Sequence, residues 1–85
     1  MKFASWNIRG VGSTEKCTAI RNLVRTQKVE VLLLQETKKE VWTSDEVRKL
    51  WHHDEFEFRM AESSGRSGAL ITILDRKALL RLALL

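Results

Sequence analysis

A run of apolar residues from Val29 to Leu34 constrains the fold most, because only Glu30 interrupts it. Such a run is typical of a strand that is buried on both faces, as in a parallel sheet. The residues from Lys2 to Ile8 predict an earlier strand, with Trp6 in the core. Two parallel strands need a crossover connection, which is usually a helix. We therefore expect a helix between these two strands.

The connecting segment has the pattern of that helix. Ser13 or Thr14 can cap its first turn, and the pattern continues to about Gln27. Its apolar residues recur at helical spacing and define a buried face: Cys17, Ile20, Leu23 and Val24. Cys17 is the only cysteine, so no internal disulfide can form, and we expect this side chain to be buried as a small hydrophobe.

A second helix is predicted to begin near Thr43. Thr43 and Glu46 have the spacing of a capping box, in which each side chain accepts a hydrogen bond from the backbone N–H of the other residue. Val47, Leu50 and Trp51 then form an apolar stripe. This segment therefore predicts a short helix that packs on the sheet.

The remaining residues predict a hairpin and a tail. Strict alternation from Glu55 to Met60 predicts a strand, residues 63–68 a turn, and residues 69–74 a further strand. The inward positions of the alternating strand are Phe56, Phe58 and Met60. The Leu-rich tail, residues 76–85, favours a helix because Ala and Leu are strong helix formers. The expected fold is α/β, in the order β-α-β-α-β-β, with a mixed sheet and flanking helices.

Composition limits the classes of partner. A chain of 85 residues forms one domain at most. The net charge of +4 suits a polyanion such as DNA, although a solvated basic surface gives the same count and is the favoured interpretation. No signal peptide is evident, and no apolar run approaches the roughly 20 residues of a membrane span. We therefore expect no membrane partner and an intracellular location, in the nucleus or the cytoplasm.

Asn7 and Glu36 each follow one of the two predicted parallel strands. Ligands gather beyond the carboxyl ends of such strands, so the topology predicts that both residues lie at one edge. Amide and carboxylate oxygens suit Mg²⁺ or Mn²⁺, and two protein ligands hold such an ion weakly. The alternatives are that Asn7 starts a turn before Gly10 and that Glu36 is a solvated surface carboxylate.

His52 and His53 stand next to Asp54 and Glu55. This cluster admits two interpretations, a metal or general-base site and an exposed helix end. No matching motif surrounds the two histidines, so the exposed helix end is favoured.

Two strings carry a resemblance to a known family: Ser5-Trp6-Asn7-Ile8-Arg9-Gly10 and Leu34-Gln35-Glu36-Thr37-Lys38. Together they resemble the endonuclease/exonuclease/phosphatase superfamily, which has the DNase-like fold and includes the apurinic/apyrimidinic endonucleases. Arg9-Gly10 after the Asn is most similar to the endonuclease domains of plant LINE-type retrotransposons. The segment from Ser64 to Ala69 and the strand end Leu74-Asp75 are also similar to that group. The likeness covers residues 1–75 and leaves residues 76–85 as a divergent tail.

The resemblance implies a partial DNase-like sandwich that hydrolyses phosphodiester bonds in DNA. It implies that Asn7 helps to organise the active site and that Glu36 binds the catalytic Mg²⁺ or Mn²⁺. Apurinic/apyrimidinic endonucleases carry Asp where this chain has Arg9. The family's later Asp/Asn pair and terminal Asp-His pair have no match here. The expectation is thus an N-terminal fragment that is inactive alone, with DNA as a partner and self-association through an uncovered sheet face.

Two alternatives from other classes stay open. One is a small basic remnant that binds nucleic acid or a protein partner without metal or catalysis. The other is a non-functional gene fragment.

Overall fold

The structure is a computed structural model that describes residues 2–10, 13–38, 41–61 and 70–84. The strands and helices in these ranges are β1 (Phe3–Asn7), α1 (Thr14–Gln27), β2 (Val31–Gln35), α2 (Ser44–Arg48), β3 (Phe56–Ala61), β4 (Leu70–Asp75) and α3 (Arg76–Ala83). The predicted order β-α-β-α-β-β is confirmed, and the helix predicted for the tail follows it. The turn predicted over residues 63–68, including Arg66, lies outside the described residues.

The four strands form one mixed sheet in the order β1-β2-β4-β3. β1 and β2 are parallel, as predicted from the connecting helix, and Asn7 lies opposite Gln35. β4 runs antiparallel to both β2 and β3, so β3 and β4 pair as predicted. The α/β class with a mixed sheet is therefore confirmed.

Local signals fix both ends of α1. The Ser13 side chain accepts a hydrogen bond from the backbone N–H of Lys16 at 3.1 Å, which satisfies one of the free N–H groups of the first turn. The helix ends at Lys28, whose φ of 53° lies in the left-handed region. Ile20 and Val24 point into the core and have no exposed surface.

The predicted capping box is present at the start of α2. The N–H of Thr43 donates to Glu46 Oε1 at 3.0 Å, and the N–H of Glu46 donates to Thr43 Oγ1 at 3.2 Å. The predicted apolar stripe of Val47, Leu50 and Trp51 is fully buried. The helix itself is short, so Leu50 and Trp51 lie in the turn that follows it.

The core lies on one face of the sheet. Strand side chains alternate between faces, and the register brings four fully buried residues together: Leu32, Leu34, Ile71 and Ile73. They form one cluster with the buried residues of the helices and turns. Burying each such side chain stabilises the fold by about 1.5–3 kcal/mol.

Two residues predicted in the core are instead exposed. Trp6 is 37% exposed and Met60 is 43% exposed, whereas Phe56 is buried. β1 and β3 are the outer strands of the sheet, so each has a neighbouring strand on one side only. Beside Trp6, α1 presents the small residue Ala19, and both residues line an open groove. Both predictions were wrong because an edge strand leaves its side chains incompletely covered.

The opposite face of the sheet, called the open face here, carries Phe3, Leu33 and Leu74. Phe3 is 70% exposed, and the other two side chains are partly buried. α3 follows β4 directly and covers one corner of this face, where Ala78 is only 2% exposed. None of the helices in the described residues is long and apolar enough to cross a membrane.

Candidate functional site

The carboxyl ends of β1 and β2 meet at one edge of the sheet. Asn7 and Gln35, the last residues of the two strands, lie opposite each other. Beyond them, the N–H of Ile8 donates to the carbonyl of Gln35 at 3.2 Å, and the N–H of Gly10 donates to the carbonyl of Glu36 at 2.7 Å. The backbone thus brings Asn7 and Glu36 to the same edge, which we call the edge site. Their role as metal ligands stays a prediction.

The backbone of the edge site is strained. Three non-glycine residues there adopt left-handed φ values, 50° at Arg9, 54° at Glu36 and 55° at Lys38. Gly10 has a φ of 103°, which side chains rarely tolerate. Each left-handed non-glycine residue costs roughly 1–2 kcal/mol. Such residues cluster at functional sites, so their grouping marks this edge as a candidate.

Lys16 holds the loop that follows β1. Its Nζ donates hydrogen bonds to three backbone carbonyls, those of Ile8 at 3.1 Å, Arg9 at 3.5 Å and Gly10 at 3.2 Å. No sequence pattern indicates this role, because Lys16 has the position of an ordinary exposed residue of a helix. The Lys16 charge is therefore engaged with the backbone at the edge site.

The side chains around the edge site differ in charge. Arg9 and Lys38 are exposed, and Lys38 Cδ lies 3.5 Å from where a Cβ on Gly10 would be, so the loops after β1 and β2 are adjacent. Glu36 is half-buried, and among the described residues its carboxylate has no hydrogen-bond or ion-pair partner. A groove of about 250 Å³ beside Asn7 is lined by Trp6, Ile8, Arg9, Lys16, Ala19 and Ile20.

A second group of polar side chains lies in the turn after α2 and at the end of β4. His53 Nε2 is 3.0 Å from Asp75 Oδ2, and the His52 and His53 rings stack with centroids 4.5 Å apart and planes at 24°. One ligand atom from each of the three residues lies within 4.8 Å of the other two. This histidine–aspartate cluster of His52, His53 and Asp75 can hold a metal ion.

Backbone hydrogen bonds orient the cluster. Asp75 Oδ1 accepts from the N–H groups of Lys77 at 2.8 Å and Ala78 at 3.4 Å, in the first turn of α3. The N–H of Glu55 donates to His53 Nδ1 at 3.0 Å. In neutral His53 the proton is therefore assigned to Nε2, which donates it to Asp75 Oδ2. Asp75 thus caps α3 with one oxygen and meets His53 with the other.

The surroundings of His52 favour its neutral form, and those of Asp75 favour its ionised form. Burial lowers the pKa of His52, and His53 lowers it further, while Asp75 acts in the opposite direction. Burial alone raises the pKa of Asp75, but hydrogen bonds from His53, Lys77 and Ala78 outweigh that effect, so the pKa lies below its ordinary value. A neutral imidazole and an ionised carboxylate are the forms that bind metals.

The interpretation of the two histidines as an exposed helix end was wrong. α2 ends at Arg48, and both imidazoles are half-buried, with His52 in edge-to-face contact with Trp51 at 5.1 Å between centroids. The adjacent carboxylate of Asp54 pairs instead with Arg48 at 3.0 Å. The sequence indicated the wrong carboxylate because Asp75 is 22 positions from His53. In the sequence, only the position of Asp75 at the end of a predicted strand pointed to this residue.

No protein-family model, curated protein or solved structure matches this chain. The two candidate sites therefore stand on their geometry. They lie at opposite ends of the sheet, because the N–H of Asp75 donates at 2.8 Å to the carbonyl of Glu30, just before β2, whereas Glu36 follows β2. At about 3.3 Å per residue, the strand from Glu30 to Glu36 separates them by roughly 20 Å.

Proposed function

We propose that this chain forms part of a divalent-metal-dependent DNA endonuclease-like domain of retrotransposon origin and that it does not turn over substrate alone. In this proposal Glu36 and Asn7 hold Mg²⁺ or Mn²⁺. The main support for this proposal is that the ends of two parallel strands meet. This brings Asn7 and Glu36 to the edge site, where the backbone is strained.

The ligand chemistry of the edge site fits a hard cation. Carboxylate and amide oxygens are ligands for Mg²⁺ and Mn²⁺. Glu36 is half-buried and pairs with none of the described residues, so its carboxylate is available to a cation. Two protein ligands leave most of the coordination shell to water, so binding is weak.

The charge around the edge site supports a phosphodiester as substrate. The exposed Arg9 and Lys38 side chains belong to the two adjacent loops. Basic side chains of this kind bind the phosphate backbone of nucleic acids. A divalent ion held by Glu36 would stabilise negative charge on the phosphate.

We expect no turnover because hydrolysis needs a base to activate water in addition to a metal ion. The chain has two histidines, and both lie in the histidine–aspartate cluster at the other end of the sheet. The Asp/Asn and Asp-His pairs that the resemblance implies have no match in this sequence. In this proposal the edge site supplies part of a metal site, and the described residues place neither histidine beside it.

A second candidate is a basic module that binds nucleic acid without metal. The net charge of +4 and the exposed Arg9 and Lys38 favour it. Such binding persists in EDTA and weakens steeply with salt. Metal-dependent binding that is lost in Glu36→Gln distinguishes the first proposal from this one.

Paramagnetic broadening by Mn²⁺ tests the edge site. Titrating Mn²⁺ into the isotopically labelled chain should broaden the NMR signals of Asn7, Gln35 and Glu36, and Glu36→Gln should remove most of this effect. Glu30→Gln is the matched control, because it changes the same residue type at the opposite end of β2. Broadening at the edge that is unchanged in Glu36→Gln would exclude Glu36 as a ligand.

A nicking assay on supercoiled plasmid tests the statement about turnover. With Mg²⁺ we expect no nicking above background, because both histidines of the chain lie in the histidine–aspartate cluster at the other end of the sheet. Magnesium-dependent nicking that disappears in Glu36→Ala would contradict this expectation.

A further inference from the structure

We propose that His52, His53 and Asp75 form a second metal site, which takes a transition-metal dication of the zinc class rather than Mg²⁺. This inference is independent of the proposed function. It rests on three side chains from two segments of the chain whose ligand atoms lie within 4.8 Å of one another.

The ligand set selects the class of metal. Two imidazoles and one carboxylate suit zinc and its neighbours, whereas Mg²⁺ and Ca²⁺ prefer oxygen ligands alone. Zinc bonds of about 2.0–2.1 Å in a tetrahedron put the ligand atoms about 3.3 Å apart. The observed separation of His53 Nε2 and Asp75 Oδ2 is 3.0 Å, and the other separations are at most 4.8 Å. Closing the site therefore requires side-chain rotations that bring the most distant ligand atoms closer together by up to about 1.5 Å.

Asp75 is already oriented for this task. Its Oδ1 is held by the N–H groups of Lys77 and Ala78, which leaves Oδ2 facing His53. Hydrogen bonds that fix a ligating carboxylate in this way are typical of metal sites. The Asp75 side chain is 13% exposed and that of His53 is 34% exposed, so an ion can reach the ligands from solvent.

His52 supplies the second, independent observation. Its Nε2 is buried and has no hydrogen-bond partner in the described part of the chain. Buried polar atoms in folded proteins nearly always have a partner, so an unpaired one needs an explanation. A metal ion bound through this nitrogen, together with His53 and Asp75, would give His52 Nε2 its missing partner.

Metal binding changes one hydrogen bond. The proton that His53 Nε2 now donates to Asp75 has to leave this nitrogen when it binds a metal, and in the neutral ring it moves to Nδ1. Nδ1 can then no longer accept the N–H of Glu55, which it meets at 3.0 Å without metal. The Glu55 amide is therefore a local reporter of metal binding through His53.

A bound ion would join the turn after α2 to the junction of β4 and α3. A ligand that binds only the folded state stabilises it, in proportion to the logarithm of its concentration relative to Kd. Zinc should therefore raise the melting temperature. The competing interpretation is that His53 and Asp75 form only a structural hydrogen bond, in which case zinc has no effect.

The test is titration of Zn²⁺ into the full chain, followed by calorimetry and thermal melting. We expect one tightly bound ion per chain, at the histidine–aspartate cluster, and a rise in melting temperature. His52→Phe keeps an aromatic ring against Trp51 but removes the nitrogen, and Asp75→Asn keeps a residue that caps α3 but removes the carboxylate. Each should weaken zinc binding by more than the roughly 10–100-fold typical of losing an outer-shell partner.

Two controls separate this site from others. Asp54→Asn changes the neighbouring exposed carboxylate, and Cys17→Ser removes the only thiol. Both should bind zinc as the wild type does. Equal binding by His52→Phe and wild type, or loss of binding in Cys17→Ser, would overturn the proposal.

The wild-type chain gives a further readout that needs no variant. The Glu55 amide signal should shift with zinc and not with Mg²⁺, and its hydrogen exchange should become faster. A zinc titration that leaves this amide unchanged would also overturn the proposal. Failure at this cluster leaves the Mn²⁺ result at the edge site unaffected, so the two proposals are tested separately.

Discussion

The left-handed backbone at Glu36 allows a direct test of whether the carboxylate of this residue binds metal. Glu36 and Lys28 have nearly the same left-handed φ, 54° and 53°. Glu36 is a predicted metal ligand, whereas Lys28 only ends α1. Replacing either residue with glycine relieves the same strain. We predict that both variants are more stable than the wild type and that only Glu36→Gly loses Mn²⁺ binding at the edge.

The size of the effect follows from two opposing terms. A left-handed conformation costs a non-glycine residue roughly 1–2 kcal/mol. Glycine gives the unfolded chain more freedom, which offsets about 0.4–1 kcal/mol of the gain. Lys28 is exposed, so Lys28→Gly loses little contact energy, whereas Glu36 is half-buried and its methylene groups lose some packing, so its gain should be the smaller of the two. The midpoints of the two ranges leave a net gain of about 0.8 kcal/mol at Lys28, or roughly 3–6 °C in Tm for a domain of this size.

Urea denaturation and thermal melting of the three proteins at equal concentration measure the stability change. The Mn²⁺ titration is then repeated on each. If Glu36→Gly is less stable than the wild type while Lys28→Gly is more stable, the carboxylate makes stabilising contacts and the argument from strain fails. If Lys28→Gly also loses the Mn²⁺ effect, the loss does not come from the carboxylate.

Two further predictions concern the helix cap and the open face. Thr43→Ala removes half of the capping box and should lower the free energy of unfolding by about 1 kcal/mol in urea, whereas Ser44→Ala should change it by a few tenths at most. We also propose that the open face drives self-association, because Phe3 on it is 70% exposed. Light scattering should therefore show concentration-dependent association that Phe3→Ser reduces, and a wild type that is monomeric at every concentration would contradict this.

The elements that sequence predicted well are those with local signals. The Ser13 cap, the helical spacing of Ile20 and Val24, and the Thr43–Glu46 box each involve residues within one or two turns of one another. The parallel pairing of β1 and β2 could be predicted from the helix that connects them. That pairing also predicted the meeting of Asn7 and Glu36 at one edge, since it depends on strand direction alone.

Prediction from the sequence failed where the exposure or the partner of a side chain depends on residues that are distant in the sequence. The exposure of Trp6 depends on the position of β1 as an outer strand of the sheet and on the small Ala19 side chain beside Trp6. The partnership of His53 with Asp75 depends on the strand order, which places the end of β4 beside the start of β2 and next to β3. Neither fact is contained in the local pattern around Trp6 or His53.

The two candidate metal sites lie at opposite ends of one sheet. The roughly 20 Å between them exceeds the distance over which substitutions usually couple, so their effects should add. The histidine–aspartate cluster also bears on the open face. Asp75 caps α3, and α3 buries Ala78 on that face, so an ion that fixes Asp75 also favours the helix that covers it. The proposed edge site would hold a hard cation at the strand ends, whereas an ion at the histidine–aspartate cluster would affect how much apolar surface the chain exposes.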